Sequence, residues 1–298
     1  MTNGLENVLW LGGPPGAGKS TVARLLARRH GLRWYNSDAH TWEHRDRAVA
    51  AGHSAAIRFE EMTIPDRRSA SLEDRLAMSL HRVRGPMIHD DLRALPTAPL
   101  TITEGTPITP EAVGDGSALW LIPTPGLRRK RLNERNLPSG TRELYEHLSD
   151  VIAEEVEQLR DRIVVIDESW SLEQVAAEVE RRFGAMLARG PSAKDPAERR
   201  QLIRYANRAS VDQYRGYFAR PWARALGDIS EVVLPFFCEC AHDTCDEQVS
   251  LAVSDFPAPP DDTSPPLLAE GHDPVEERRP GHASSGRPVR GGLRRQAQ

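Results

Sequence analysis

Gly13-Pro14-Pro15-Gly16-Ala17-Gly18-Lys19-Ser20 is the stretch on which the fold turns. It fits G-x-x-x-x-G-K-[ST], a pattern that carries meaning only between an apolar strand and a helix. Val8-Leu9-Trp10-Leu11 supplies the strand, and Thr21 to Arg29 supplies an amphipathic helix stopped by Gly31. Glycines in such a loop let successive backbone N–H groups turn inward and hold phosphate oxygens at the positive end of the helix. Lys19 then reaches the β- and γ-phosphates, and the Ser20 hydroxyl holds Mg²⁺. The expected nucleotide-contacting set is Gly13, Pro14, Pro15, Gly16, Ala17, Gly18, Lys19, Ser20 and Thr21.

The chain has 298 residues, of which 39% are hydrophobic and 28% charged, with a formal net charge of −4. That length is enough for one large α/β domain and something smaller. The slight negative charge gives no overall pull toward nucleic acid or an anionic membrane. No run of about 18 apolar residues is present to span a bilayer, and the N-terminus lacks a signal-peptide core. Three cysteines, all between positions 238 and 245, make no disulfide framework. The chain reads as cytoplasmic.

From residue 5 to about 189, strands alternate with helices, which favours a parallel sheet covered on both faces. Leu32–Asn36, Pro99–Thr103, Ala118–Ile122 and Arg162–Asp167 read as the second to fifth strands. Residues 40–70 have no clear period, and Ser71 opens a helix whose Leu72, Leu76, Leu80 and Val83 share a face. Ser171-Leu172-Glu173-Gln174 is a capping box for a helix reaching about Leu187. Gly190-Pro191 marks a boundary, after which Asp195-Pro196 starts another helix running toward Arg220-Pro221. The expected division is 1–190, an α/β domain; 191–254, a helical and Cys-rich segment; and 255–298, a disordered tail rich in Pro, Gly and Ser.

Open α/β sheets bind ligands at the C-terminal ends of their strands, so the residues there carry the chemistry. Asp38, just past the second strand, can take the proton of an attacking hydroxyl or bind substrate; an Asp there also suits a helix N-cap. Glu104 ends the third strand, where a carboxylate is costly unless it serves a cation or hydrogen bonds. Its expected task is to hold Mg²⁺ through water, with a surface turn as the alternative. Arg128, Arg129, Lys130, Arg131 and Arg135 follow the fourth strand, with Arg142 beyond. They read either as a lid that neutralises a transferring phosphoryl group or as a solvated helix face.

The loop, Asp38, Glu104-Gly105-Thr106-Pro107 and the arginine-rich stretch together resemble the nucleoside-monophosphate kinase superfamily, over residues 5–187. That group includes adenylate, shikimate and gluconate kinases and chloramphenicol phosphotransferase. The resemblance implies a three-layer fold with a parallel sheet in the order 2-3-1-4-5, a mobile lid, and transfer from ATP–Mg²⁺ to a small acceptor. It assigns phosphate and Mg²⁺ binding to Lys19 and Ser20, an acidic metal role to Glu104, and the lid to Arg128, Arg131 and Arg135. Residues 38–94 match no member closely, though they hold His40, Trp42, Arg45, Arg58, His89, Asp90 and Asp91, enough for a polar acceptor pocket with an aromatic wall or for ordinary helix surface.

Cys238-x-Cys240-x-His242-x-x-Cys245 offers a Cys₃His set suited to Zn²⁺. The spacing is tight for one ion, so a distant His or Asp is an alternative fourth ligand, and three reduced cysteines without metal are another reading. The preceding helix carries Arg199, Arg200, Arg204, Arg208 and Arg215, but Glu239, Asp243, Asp246 and Glu247 around the cysteines argue against a nucleic-acid face. Two functions compete. One is an ATP–Mg²⁺-dependent small-molecule phosphotransferase; the other is an NTP-binding switch whose C-terminal segment binds a partner.

Overall fold

The computed structural model describes residues 4–135, 137–259 and 264–275. In chain order the elements are β1 (Val8–Gly12), α1 (Lys19–His30), β2 (Arg33–Asn36), α2 (Thr41–Ala50), α3 (Ser54–Glu61), α4 (Ile64–Ser69), α5 (Leu72–Met78), α6 (Gly85–Ala94) and β3 (Thr101–Glu104). They continue with α7 (Pro110–Val113), β4 (Ser117–Pro123), α8 (Pro125–Glu134), α9 (Ser139–Val156), β5 (Ile163–Ile166), α10 (Leu172–Arg189), α11 (Pro196–Phe218), β6 (Val233–Phe237) and β7 (Gln248–Ala252).

Five strands form one all-parallel sheet in the order β2-β3-β1-β4-β5. Alternation along β1 explains why both faces are covered. Leu9 and Leu11 pack with Val22 and Leu26 of α1 and Val175 and Val179 of α10. Val8 and Trp10 pack with Ile88 and Leu92 of α6 and Val156 of α9. Buried apolar runs of this kind are what a parallel sheet between helix layers requires. The Ser171–Gln174 capping box is formed at the start of α10. No helix among the described residues is long and apolar enough to cross a membrane.

Two expectations need correction. The helix opening at Ser71 ends at Met78 rather than continuing through Val83. Leu80 takes φ 57° and turns its side chain into a small cluster with Ala48 and Ala56, which breaks the helical run. Beyond the parallel sheet, β6 pairs antiparallel with β7 in a separate ribbon.

The expected tail from residue 255 is also ordered in part. Phe256 is buried against Phe236. Residues 264–275 return across the ribbon, where Leu267 exchanges backbone and side-chain hydrogen bonds with Glu239, and Val275 N donates to Cys240 O at 2.9 Å. The remainder of the expected tail, residues 260–263 and 276–298, lies outside the described residues.

The segment after Pro191 does not stand apart from the sheet. Ala206 of α11 belongs to the same apolar cluster as Trp34 of β2, and Phe237 meets Trp34 edge-on at 5.6 Å. Four of the arginines of α11 are turned inward as well, while Arg215 is exposed beside Asp212. Arg204 makes a 2.6 Å ion pair with buried Glu239, Arg199 donates to Arg28 O, Arg200 to Val275 O and Arg208 to Pro257 O. They fasten the C-terminal strands rather than form an open basic face.

Candidate phosphoryl-transfer and metal sites

The glycine-rich loop leaves β1 and enters α1 through two backbone positions that admit only glycine. Gly13 has φ 134°, and a Cβ there would lie 2.4 Å from Leu121 O; Gly18 caps α1 at φ 92°. This geometry aims the start of α1 at a cavity of about 430 Å³. Lys19, Ser20, Asp38, Arg84, Arg135 and Gln213 are among its lining residues. Because β1, β2 and β3 each end here, the cavity sits at the C-terminal edge of the sheet, where such folds bind ligands.

Lys19 is buried, and its ammonium donates to Pro14 O at 3.0 Å. Burial lowers its pKa, opposed by the carboxylates of Glu104 and Asp38. Glu104 is fully buried at the end of β3. Burial pushes its carboxyl up to about 7 despite the nearby Lys19 charge, with Asp38 adding to the rise. Ser20 and Trp34 lie alongside and favour the ionised form, yet neither carboxylate oxygen accepts a hydrogen bond of normal geometry. A buried carboxyl without a partner carries a large desolvation cost. A hard divalent cation beside the Ser20 hydroxyl matches that unmet oxygen pair, so these residues fit Mg²⁺.

Asp38 is half exposed, in a short turn before α2, and α2 has no side-chain cap. Its carboxylate is therefore left for the cavity rather than used as a helix cap. Behind it runs a chain of buried groups. Arg84 stands 3.8 Å from Asp38, donates through Nη2 to Ser37 O, and donates through Nε to His44 Nδ1 at 3.0 Å. Since Nδ1 accepts, the His44 proton sits on Nε2, which donates to Asp91 at 2.7 Å. Burial lowers the His44 pKa, which keeps this neutral tautomer. Burial raises the Asp91 carboxyl, but hydrogen bonds from His44, Tyr35 and Arg47 outweigh it and hold Asp91 at about 2. The result is a fixed guanidinium beside Asp38.

The arginines after β4 divide. Arg135 lines the cavity. Arg131 donates to Gly16 O at 3.0 Å and Ala17 O at 3.1 Å, so it braces the loop from behind. Arg128 forms a 2.7 Å pair with Asp150 of α9 and does not line the cavity. Its expected place over the phosphates is corrected: α8 buries Leu127 and Leu132, and that registry turns Arg128 toward α9.

Among the acceptor-region candidates, Asp91 belongs to the buried chain, Arg58 pairs with Asp74, and His89 contacts Ala112 O. Trp42 and Arg45 line a second cavity. Arg84, His81, Tyr145 and Gln213 line the first cavity and went unread in the sequence. Gln213 had no signal, being one polar residue on a polar helix 171 positions from its neighbour Trp42.

The cysteine cluster is assembled with a different histidine from the one expected. Cys238, Cys240, Cys245 and His272 bring their ligand atoms within 4.8 Å of one another. His242 is exposed and not among them, because the turn it makes before Cys245 points its ring outward. His272 Nδ1 lies 3.5 Å from Cys238 Sγ and 3.6 Å from Cys245 Sγ. Arg28, at the end of α1, donates to Cys245 O at 2.5 Å and Cys238 O at 3.1 Å, tying the cluster to the helix that starts at Lys19.

No protein-family model and no curated protein matches this chain.

Proposed function

We propose that the chain transfers the γ-phosphoryl group of ATP to a hydroxyl of a small molecule. The observation that carries this reading is one cavity lined by Lys19, Ser20 and Asp38, with the buried carboxyl of Glu104 close enough to act on the Lys19 charge. Asp38 takes the proton of the acceptor hydroxyl. The hydroxyl oxygen bonds to the γ-phosphorus as the bond to the bridging oxygen breaks, and ADP carries away the electron pair. Lys19, Arg84 and Arg135 offer positive charge to the phosphoryl oxygens in a partly dry site. Mg²⁺, held by Ser20 and Glu104, would neutralise charge on the β- and γ-phosphates.

The competing switch reading needs a C-terminal segment free to bind a partner. Gln213 in the cavity wall and Ala206 in the sheet's core favour the enzyme instead. The test is ADP release by the purified chain with Mg²⁺ and pooled hydroxyl compounds. Release that depends on an added compound is expected. Phosphate appearing only on water, whatever the pool, would sink the proposal.

We further propose that Cys238, Cys240, Cys245 and His272 hold one structural Zn²⁺. Tetrahedral coordination at Zn–S about 2.3 Å spaces ligand atoms about 3.8 Å apart, which this cluster accommodates. Four protein ligands leave no open position for catalysis, and reduced thiols fit a cytoplasmic chain. Elemental analysis of protein purified without chelator should find one zinc per chain; none in correctly folded protein would refute it.

A further inference from the structure

The second cavity, of about 1190 Å³, opens beside the first. Ser79 lines both, and Leu144 and Tyr145, successive residues of α9, line one each. Its walls come from Trp42 and Arg45 of α2, Phe59 of α3, Arg67 of α4, Arg75 of α5, Glu143 and Leu144 of α9, and Tyr217 and Trp222 from the C-terminal segment.

The lining is unbalanced in charge. Arg45, Arg67, Arg68 and Arg75 face a single acidic lining residue, Glu143, and Arg75 already takes it. Glu60 lies nearby and its charge acts on Arg45 and Arg67; its Oε2 accepts the Trp222 indole N–H at 3.0 Å, while its Oε1, 3.5 Å from Arg220, accepts no hydrogen bond. Arg45 is 4% exposed, lies 3.8 Å over the Phe59 ring and donates once, to Met78 O at 2.7 Å. Its Nε and Nη1 meet no acceptor. Arg67 is stacked between Phe59 at 4.1 Å and Trp222 at 4.0 Å, and its Nη2 is likewise unmet, as is Nε of Arg75.

Ring faces attract a guanidinium above the plane but cannot satisfy the N–H groups in its own plane. Packing therefore accounts for the stacking and leaves the edges unexplained. Unmet guanidinium N–H groups are matched by a carboxylate or phosphate, whose charged oxygens accept several bonds at once.

Resting on the phosphotransfer reading, we infer that this cavity anchors the acceptor by an oxyanion, a carboxylate or a phosphate, through Arg45, Arg67 and Arg75. The acceptor's hydroxyl then extends past Ser79 toward Asp38. The C-terminal segment closes the outer wall, so it is part of the substrate site. Neutral sugars and alcohols can accept from these N–H groups but bring no charge to oppose the arginines, so they are expected to bind more weakly.

The experiment uses the full chain, with tryptophan fluorescence (Trp42 and Trp222 line the cavity) and calorimetry as readouts. Benzoate and phenyl phosphate are the anionic probes, benzyl alcohol the neutral one, and a non-hydrolysable ATP analogue is titrated separately. Either anion should bind at least tenfold more tightly than the alcohol, and the stronger of the two identifies carboxylate or phosphate. Arg67→Gln, at a half-buried position, should weaken that binding at least tenfold and leave the ATP-analogue affinity within about twofold; Arg45→Gln should act alike if it folds. Lys19→Ala should keep anion binding, which separates this cavity from the loop. Equal binding of alcohol and anions, or no effect of Arg67→Gln, overturns the inference while the ATP analogue still binds. Loss of ATP-analogue binding by the wild type would instead overturn the phosphotransfer reading beneath it.

Discussion

Replacing Glu104 with Gln separates what the site costs the fold from what it gives to function. The Glu104 carboxyl is fully buried and stands at about 7 rather than the ordinary 4.5. Below 4.5 it is protonated in both folded and unfolded chains. Between 4.5 and about 7 the unfolded chain loses its proton first, so stability falls as pH rises and stays low above 7. At about 1.36 kcal/mol per pH unit, the upper bound on this loss is about 3 kcal/mol. Gln keeps the shape and cannot ionise, but it deprives the buried Lys19 ammonium of an opposing charge. The net gain expected at pH 8.5 is therefore about 1–2 kcal/mol, or a rise of about 5 °C in Tm. Near pH 4.5 the gain should vanish. Urea unfolding of both proteins at each pH measures it, and comparison at equal pH cancels whatever the two proteins share. The same variant should lose Mg²⁺-dependent turnover. A stability difference that does not grow with pH, or one that favours the wild type at pH 8.5, would show the electrostatic argument to be wrong.

Lys19→Ala should abolish binding of an ATP analogue by calorimetry while leaving a folded chain; unchanged affinity refutes the role of the loop. Arg84→Lys removes a fixed fork between Asp38, Ser37 and His44, so kcat should fall about a hundredfold. It should also cost about 1–3 kcal/mol in urea unfolding, because His44 Nδ1 and Ser37 O lose their donor. A variant with wild-type kcat would remove Arg84 from the site. His272→Ala should lose zinc and make residues 264–275 the first site of limited proteolysis; retained stoichiometric zinc would return the fourth ligand to another group.

The sheet was legible because its signals are local. An apolar strand, a glycine-rich turn and a helix lie within the first 30 residues, and the capping box at Ser171 depends on neighbours three positions apart. The placement of Asp38 and Glu104 at the C-terminal edge of the sheet was legible for the same reason, since one follows a readable strand and the other ends one. Arg84 was not, because its meaning comes from His44 and Ser37, 40 and 47 residues away. His272 sits among prolines and glycines whose composition resembles that of an unfolded tail, and only the return of that segment beside Cys238 gives it a role. Arg128 shows the reverse error. Its position after β4 made it a candidate for a phosphate contact, but one turn of helix directs it to Asp150.

Synthesis runs from the N-terminus, so β1 through α10 emerge before α11 exists. Until then Trp34, on the edge strand β2, has neither Ala206 nor Phe237 against it. At about 5–20 residues per second, the ribosome needs roughly 2–10 s more to reach Phe237. During that interval the nascent sheet carries a bare indole beside an uncovered strand edge, the kind of surface that aggregates or is gripped by chaperones. The late segment that completes the site thus also ends the period in which the newborn chain is most exposed to its neighbours.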